Sequence, residues 1–402
     1  MVTPTYYPSI GGIETFIETI AKKLNERGVD TDIMTLNRTV NGEPLWKGGV
    51  VDTEAGKVIR LPTLRAPEFN LCGKTITPLK VYLQTQFVPK LDRLKLVEDY
   101  DILHFHNEND LSLLMFSSSI RKPRIFHYHI LSISLPYLKR KEKILCKYLL
   151  KKTVTYHLVN SEYSKRLLES MGIDSKRISV VLNAIDLTRY APSLVREQKI
   201  KTDHETRRVL YISRLSFEKL QSVESVINSA PMLSEHVSKL RIIVVGMGPY
   251  YNYVKELGEK VNKELDKKII TVLGEVEETE KRRLIGSSDI VVGVSRVALE
   301  AMSCGKPALI VGDRFIEGRP DAFFGGIVTR ENVEDLKYYN FCYRKNSERT
   351  TPEKVAQEAL KLLSDESYAA QIGAFGRDFV KKHYDGNNIA QQLEKLYKNL
   401  EN

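Results

Sequence analysis

Short β-branched runs alternate with amphipathic helical stretches along this chain, and the alternation occurs in two separate sets. That pattern constrains the fold more than any other feature, because strands that alternate with helices pair in parallel and bury both faces of a sheet. In the first set, strands are expected at Thr31–Leu36, Asp101–His106, Arg124–His129, Tyr156–Asn160 and Val180–Asn183. A helix is expected over Ile13–Arg27, and another over Tyr163–Met171 with Ser161 as its N-cap. Met1–Pro4 reads as a strand too short to be complete, which implies further residues upstream. A polar, charge-rich stretch follows the first set. The second set has strands at Val209–Ser213, Arg241–Gly246, Ile269–Leu273, Ile290–Gly293 and Pro307–Val311. At 402 residues the chain exceeds one ordinary core. Two domains are therefore expected, at 1–191 and 209–385, with a linker at 192–208 and an amphipathic tail helix in 386–402.

A hydrophobic fraction of 42% and a charged fraction of 28% suit an ordinary globular protein and argue against a disordered or membrane-spanning chain. A basic segment followed by an apolar core is missing from the first residues, so no signal peptide is expected and the cytoplasm is the expected location. Cys72, Cys146, Cys304 and Cys342 lack paired spacing and read as reduced structural residues. A net charge of +10 points to an anionic partner (a nucleotide, a phospholipid surface or nucleic acid) or else simply to solubility.

Candidate site residues cluster where strands end. Gly11 and Gly12 directly precede a helix, where backbone N–H groups and the helix dipole favour an anion; a plain glycine turn is the other reading. Arg214 and Lys219 follow the first strand of the second set, a position suited to a diphosphate leaving group, though solvated cations would look the same. The stretch from Ile290 turns through Gly293 into a short helix that ends at Gly305. Glu300, about one turn into that helix, can reach ribose hydroxyls, or it can cap or lie on the surface. Gly246 and Gly248 with Pro249 form a weak dinucleotide fingerprint that lacks its third glycine, and a tight turn bordering a ligand cleft suits them better. His104/His106 and His127/His129 form two H-x-H pairs, each on one strand face. No cysteine or carboxylate is grouped with them, so packing is favoured over metal, and His129 at its strand end is placed to touch a substrate. Residues 137–152 are basic and amphipathic, with Lys139, Arg140 and Lys143 among the cations. They suit either an anionic membrane surface or a solvated helix face.

The order of these elements resembles the retaining GT-B glycosyltransferases of family 4 over nearly the whole chain. The matching stretches are YYPSIGGIE, DILHFHN, FHYHILS, LVNSEYSK, VLNAIDLTRY, YISRLSFEK, VVGMGP, VLGEVEE and VALEAMSCGKP, of which RLSFEK and the last are the most specific. The resemblance implies an α/β fold of two Rossmann-like domains facing a cleft, with an acceptor-side N-terminal domain and a tail helix that crosses back to it. It implies that Gly12 meets the donor diphosphate and that Arg214 and Lys219 neutralise it as the glycosidic bond breaks. Backbone around Glu275 and Val276 would hold the base, and Glu300 the ribose. N–H groups near Val297 and Ala298 would assist the phosphates, and His129 would contact the donor sugar. Gly246, Ser295 and Arg296 complete the expected donor-binding set.

The implied reaction moves a sugar from a nucleotide-diphosphate donor, UDP-sugar favoured and GDP-sugar possible, to a glycan or lipid-linked acceptor, without metal or other cofactor. The implied location is the cytoplasm, with peripheral attachment at the membrane's inner face. Two departures stand out. Val292 occupies the position of the first glutamate of the family's E-x7-E motif, within a shortened Gly293-Val294-Ser295-Arg296 element, and Leu220 replaces a usual glycine. Sugar recognition then falls to backbone amides or to an Asp313–Gly318 loop. An epimerase of the same fold and a catalytically idle nucleotide-sugar-binding protein are the alternatives. Nucleic-acid binding has no motif in its support.

Overall fold

The computed structural model describes residues 1–3, 5–7, 11–36, 49–61, 97–106, 122–129, 151, 154–192, 205–316, 319–343, 345 and 348–401. The chain divides into two compact units, Met1–Ala184 with Gly386–Asn402, and Ile185–Asp385.

In the first unit the described strands are β1 (Val2–Thr3), β2 (Ile33–Leu36), β3 (Gly49–Thr53), β4 (Gly56–Leu61), β5 (Leu103–His106), β6 (Arg124–Tyr128), β7 (Tyr156–Val159) and β8 (Ile178–Val180). Their order across the sheet is β3-β4-β2-β1-β5-β6-β7-β8. Every pairing is parallel except the β3–β4 hairpin. That hairpin escaped the sequence pattern because β3 is exposed along its whole length and has no apolar alternation to mark it. The last strand lies at Ile178–Val180, not at the expected Val180–Asn183. The short 3-10 turn Ser175–Arg177, capped by Asp174, starts it early. Helix α1 (Gly12–Asn25) buries Phe16, Ile17, Ile20 and Leu24 against one sheet face. Helix α2 (Glu162–Ser170) begins as expected, with the Ser161 hydroxyl accepting the Ser164 N–H at 3.2 Å.

The second unit has a sheet ordered β11-β10-β9-β12-β13-β14-β15. These strands are β9 (Arg207–Ile212), β10 (Leu240–Val245), β11 (Ile270–Leu273), β12 (Ile290–Val292), β13 (Ala308–Ile316), β14 (Arg319–Ile327) and β15 (Glu348–Arg349). The core strands β9–β13 pair in parallel, and β14 and β15 close one edge antiparallel. The expected Asp313–Gly318 loop is therefore mostly strand: Asp313 to Ile316 continue β13 and pair with Arg319 to Ala322. The helices that follow are α3 (Leu220–Asn228), α4 (Ala230–His236), α5 (Tyr251–Glu264), α6 (Glu278–Ser287), α7 (Arg296–Ser303), α8 (Val333–Tyr338), α9 (Pro352–Ser364) and α10 (Glu366–His383).

Residues 185–191, expected at the end of the first domain, fall in the second unit. Ile185 bridges to Asp385, and the Tyr190 carbonyl accepts the Ser303 hydroxyl at 2.7 Å and Arg377 Nη1 at 2.8 Å. These bonds tie the segment to α7 and α10. The tail helix, α11 (Gly386–Glu401), belongs to the first unit. Ile389, Leu393 and Tyr397 join the core cluster of α1, and Glu394 pairs with Arg27 at 2.7 Å.

Candidate active site

Each sheet has one point where the chain reverses its direction of travel, and ligands of open α/β sheets sit beyond the carboxyl ends of the strands there. In the first unit that point lies between β1 and β5, and in the second between β9 and β12. The residues that leave β1 lead to Gly11 and Gly12. Those that leave β9 and β12 carry Arg214, Lys219 and Gly293–Arg296.

Beyond β9, two loops are laced together by backbone hydrogen bonds. Ser213 N–H donates to the Val245 carbonyl at 3.1 Å, Leu215 N–H to Met247 at 3.0 Å, and Tyr250 N–H to Leu215 at 3.1 Å. Glycine is obligatory at the crossing. Gly246 has φ +156°, and a Cβ there would lie 1.9 Å from the Ser213 carbonyl oxygen. Gly246 thus acts by letting the strand ends approach, and Leu215 anchors the lacing in the core. This rigid base holds Arg214 exposed, and among the described residues nothing pairs with its guanidinium. Lys219 ends the short turn Phe217–Lys219 and is half-buried. Glu275 is exposed and Val276 half-buried in the loop after β11, next to Gly274, whose carbonyl accepts the Gly246 N–H at 3.2 Å.

Beyond β12, Ser295 precedes α7 with φ +50° and ψ −119°, which a non-glycine residue adopts only under strain. Asn340 and Phe341, also at positive φ, hold it. The Phe341 carbonyl accepts the Ser295 N–H, and Asn340 Nδ2 donates to Ser295 Oγ, both at 3.0 Å. Helix geometry leaves the first N–H groups of α7 without intrahelical acceptors. Val297 N–H is the exception, because it bonds the Val294 carbonyl at 3.1 Å. Val292 is fully buried in the core of the unit.

Glu300 lies 1% exposed within a chain of charges. Arg296 Nε donates to its Oε1 at 2.8 Å. Lys281 Nζ, from α6, stands 3.2 Å from its Oε2, close enough for an ion pair but not aligned as a hydrogen bond. Lys281 also pairs with Glu278 at 2.8 Å and lies 5.5 Å over the Tyr190 ring, whose hydroxyl donates to Glu278. Burial raises the Tyr190 phenol well above its ordinary value, helped by the Glu300 and Glu278 charges. Burial would raise Glu278 as well, but Lys281 and the Tyr190 hydroxyl outweigh it and hold that carboxyl below the usual range.

In the first unit, Gly11 caps α1 in extended conformation, and a Cβ on it would meet the Glu14 carboxylate at 2.4 Å. Gly12 is exposed at the first helical position. The two H-x-H pairs meet in one stack. Ring centroids are 4.2 Å apart for His104/His106, 5.5 Å for His106/His127 and 4.2 Å for His127/His129. Tyr397 approaches His104 Nδ1 at 2.6 Å, and His106 Nδ1 lies 3.0 Å from His129 Nε2. Burial, then neighbouring imidazoles and the chain's amino terminus, push His104 and His106 well below the ordinary value, and burial and its neighbours do the same to His127. One donor atom from each of these three lies within 4.8 Å of the others. No carboxylate joins the three among the described residues, and burial favours their neutral form.

A family model described as Glycosyltransferase Family 4 matches residues 10–189, and a model of Glycosyl transferases group 1 matches 206–336. This chain belongs to the family 4, group 1 glycosyltransferases. An uncharacterized glycosyltransferase of Methanocaldococcus jannaschii is 22% identical, over 100% of this chain and 98% of the relative. One subunit of the human phosphatidylinositol N-acetylglucosaminyltransferase is 23% identical, over 99% of this chain and 75% of that protein. Among solved structures, Anabaena HepE in complex with UDP and glucose superposes with a TM-score of 0.68 at 18% identity, covering 99% and 98% of the two chains. That likeness establishes the GT-B fold.

Within this glycosyltransferase, Arg214, Lys219, Gly246, Glu275 and Val276 surround one pair of laced loops, and Ser295, Arg296, Val297, Ala298 and Glu300 form the turn and helix beyond β12. Gly12 and His129 belong to the first unit. His129 sits just past β6, half-buried, with its carbonyl accepting Asn160 Nδ2 at 2.9 Å. Sequence reasoning missed Lys281, Glu278 and Tyr190. Lys281 and Glu278 show only as charges on a polar helix, and the contact between that helix and α7 crosses some twenty residues of chain. The basic stretch 137–152 lies outside the described residues except for Lys151. No described helix is long and apolar enough to cross a membrane.

Proposed function

We propose that this glycosyltransferase moves a sugar from a UDP-sugar to a lipid-linked or glycan hydroxyl with retention of anomeric configuration, without a metal ion. The observation that carries the reading is Arg214, an exposed guanidinium with no partner among the described residues, held on a laced loop at the switch point of the second sheet. With Lys219 it presents positive charge where a diphosphate leaves, so the charge that builds on the leaving group is met by fixed cations. The first-turn N–H groups of α7 supply further anion-binding donors. Glu300 takes the ribose, and backbone at Glu275 and Val276 the base. With Val292 in place of a carboxylate, the sugar is read mainly by backbone N–H groups. UDP is supported by the HepE complexes. A lipid acceptor is supported by two relatives named for lipid glycosylation: the human protein above and the Streptococcus pneumoniae alpha-monoglucosyldiacylglycerol synthase, 22% identical over 83% of this chain.

The test is product formation from a panel of UDP-, GDP- and ADP-sugars, with and without a diacylglycerol acceptor. Arg214→Ala and Lys219→Ala are expected to lower kcat by about a hundredfold, the scale for losing one transition-state charge contact. Activity is expected to survive EDTA. Wild-type turnover in both variants overturns the assignment of the diphosphate clamp.

A further inference from the structure

Glu300 can accept about four hydrogen bonds as a carboxylate. Among the described residues its Oε1 accepts one, from Arg296, while Oε2 lies beside Lys281 and accepts none. Oε2, buried and without a hydrogen-bond donor among the described residues, is the oxygen with acceptor capacity left. Its direction is set by Lys281, whose own position is fixed on two further sides by the Glu278 carboxylate and the Tyr190 ring. Glu278 is in turn held by the Tyr190 hydroxyl, and Tyr190 by Ser303 and Arg377 through its carbonyl. A flexible lysine with 15% of its side chain exposed ordinarily gains little from a single surface pair. Here it bridges two carboxylates in a largely buried setting, where geometry decides whether the charges are compensated.

We infer that Lys281 is a positioning residue for nucleotide binding: through the Tyr190–Glu278–Lys281 relay it aims Glu300 Oε2 at the ribose hydroxyls of the donor. The inference rests on the assignment of Glu300 to ribose, and it adds a residue on a different helix, α6, on which that assignment depends. Arg296 plays the matching part on the other oxygen, so Glu300 is gripped from both sides and cannot rotate to follow a displaced ligand. A nucleotide lacking its ribose hydroxyls gains nothing from this alignment, which separates positioning from a merely structural role.

Calorimetry of the full chain with UDP and with 2′,3′-dideoxy-UDP reads the difference. Wild type is expected to prefer UDP, and Glu300→Gln to lose that preference. Lys281→Met is expected to weaken UDP binding about tenfold, equivalent to about 1.4 kcal/mol, while leaving dideoxy-UDP binding unchanged. Lys281→Arg restores most of the loss. Tyr190→Phe removes only the outer hydrogen bond of the relay and is expected to give a smaller loss, again confined to UDP. It carries the test if Lys281→Met does not fold. If Glu300→Gln keeps the ribose preference, the parent assignment fails. If Glu300→Gln loses it but Lys281→Met and Tyr190→Phe weaken both nucleotides equally, or neither, the relay is structural and the inference is overturned alone.

Discussion

In the first unit the polar side chains buried on the sheet are mostly neutral rings: His104, His106, His127 and His157, with Tyr397 alongside. In the second unit the buried polar groups are serines and Asn340 together with one ion pair on α7: Glu300 and Arg296 are almost wholly buried, with Lys281 and Glu278 at their margin. Both units are α/β with the same switch-point logic, so the difference is one of chemistry and not of architecture. Neutral imidazoles pack like small aromatic rings and carry no Born penalty while uncharged, but they oppose the arrival of any proton. Paired ions must be compensated at every position, and removing one partner strands the other. A buried charge is costly, and its presence beyond β12 fits a site that must grip a polar ligand. The imidazoles pack against Phe16 of α1, with the half-buried His129 last in the row.

The comparison breaks most sharply at Arg296. Arg296→Met is expected to destabilise the second unit by about 3–5 kcal/mol, because it leaves Glu300 buried without its hydrogen-bonded partner. Hydrogen exchange should show α7 opening while α1 stays protected. Equal loss of protection in both units would mean that the ion pair is not a local support.

Acid should act the other way round. The folded-state values of His104, His106 and His127 lie well below the ordinary 6.5, and that of His157 is pushed down to about 3 by burial and by Arg177. Between those values and about 6.5 the unfolded chain binds more protons than the folded one. Stability is thus complete above about pH 6.5 and declines as pH falls below it, by about 1.4 kcal/mol per pH unit for each ring. Exchange at pH 5.5 against pH 7.5 should open the first unit first. A pH-insensitive first unit would show that its imidazoles are hydrated.

His127→Leu sharpens the same point at smaller scale. A neutral ring replaced by an apolar side chain of similar volume is expected to cost less than about 1.5 kcal/mol at pH 7.5. It should also reduce the acid slope by one ring's share, read from denaturant unfolding at several pH values. A large loss at neutral pH would reveal a hydrogen-bonding duty for that ring.

Ser295→Gly has the smallest expected effect. Relief of the positive φ opposes loss of the Asn340 hydrogen bond, so stability should change by no more than about 1 kcal/mol. Gly246→Ala provides the contrast: its Cβ would collide with the Ser213 carbonyl, and melting should fall clearly. A strong loss from Ser295→Gly would assign the serine hydroxyl a role beyond holding the turn.

Much of this was legible in the residues. The switch from period 2 to period 3.6 located nearly every core strand of both sheets, and Ser161 announced the start of α2 through its own hydroxyl. Glycines at 246 and 248 marked a crossing of strand ends that no larger residue permits. The β3–β4 hairpin was not legible, because Val50 and Val51 are exposed and leave no buried stripe to count. The extension of β13 to Ile316 was hidden for a related reason: its partner is β14, and antiparallel pairing at an edge is a matter of register, not of local propensity.

The sequence by itself determined the α/β class, the two-unit plan and the placement of Arg214, Lys219 and the Gly12 turn at strand ends. These follow from local periodicity and from steric rules that act over a few residues. Only the tertiary structure decided which charges meet. Lys281 and Glu300 sit on different helices, and the histidine pairs of β5 and β6 become one stack only when the parallel register sets His106 opposite His127. Contacts of that kind depend on how elements dock, and docking is settled by the whole buried surface, on which no single stretch of sequence reports.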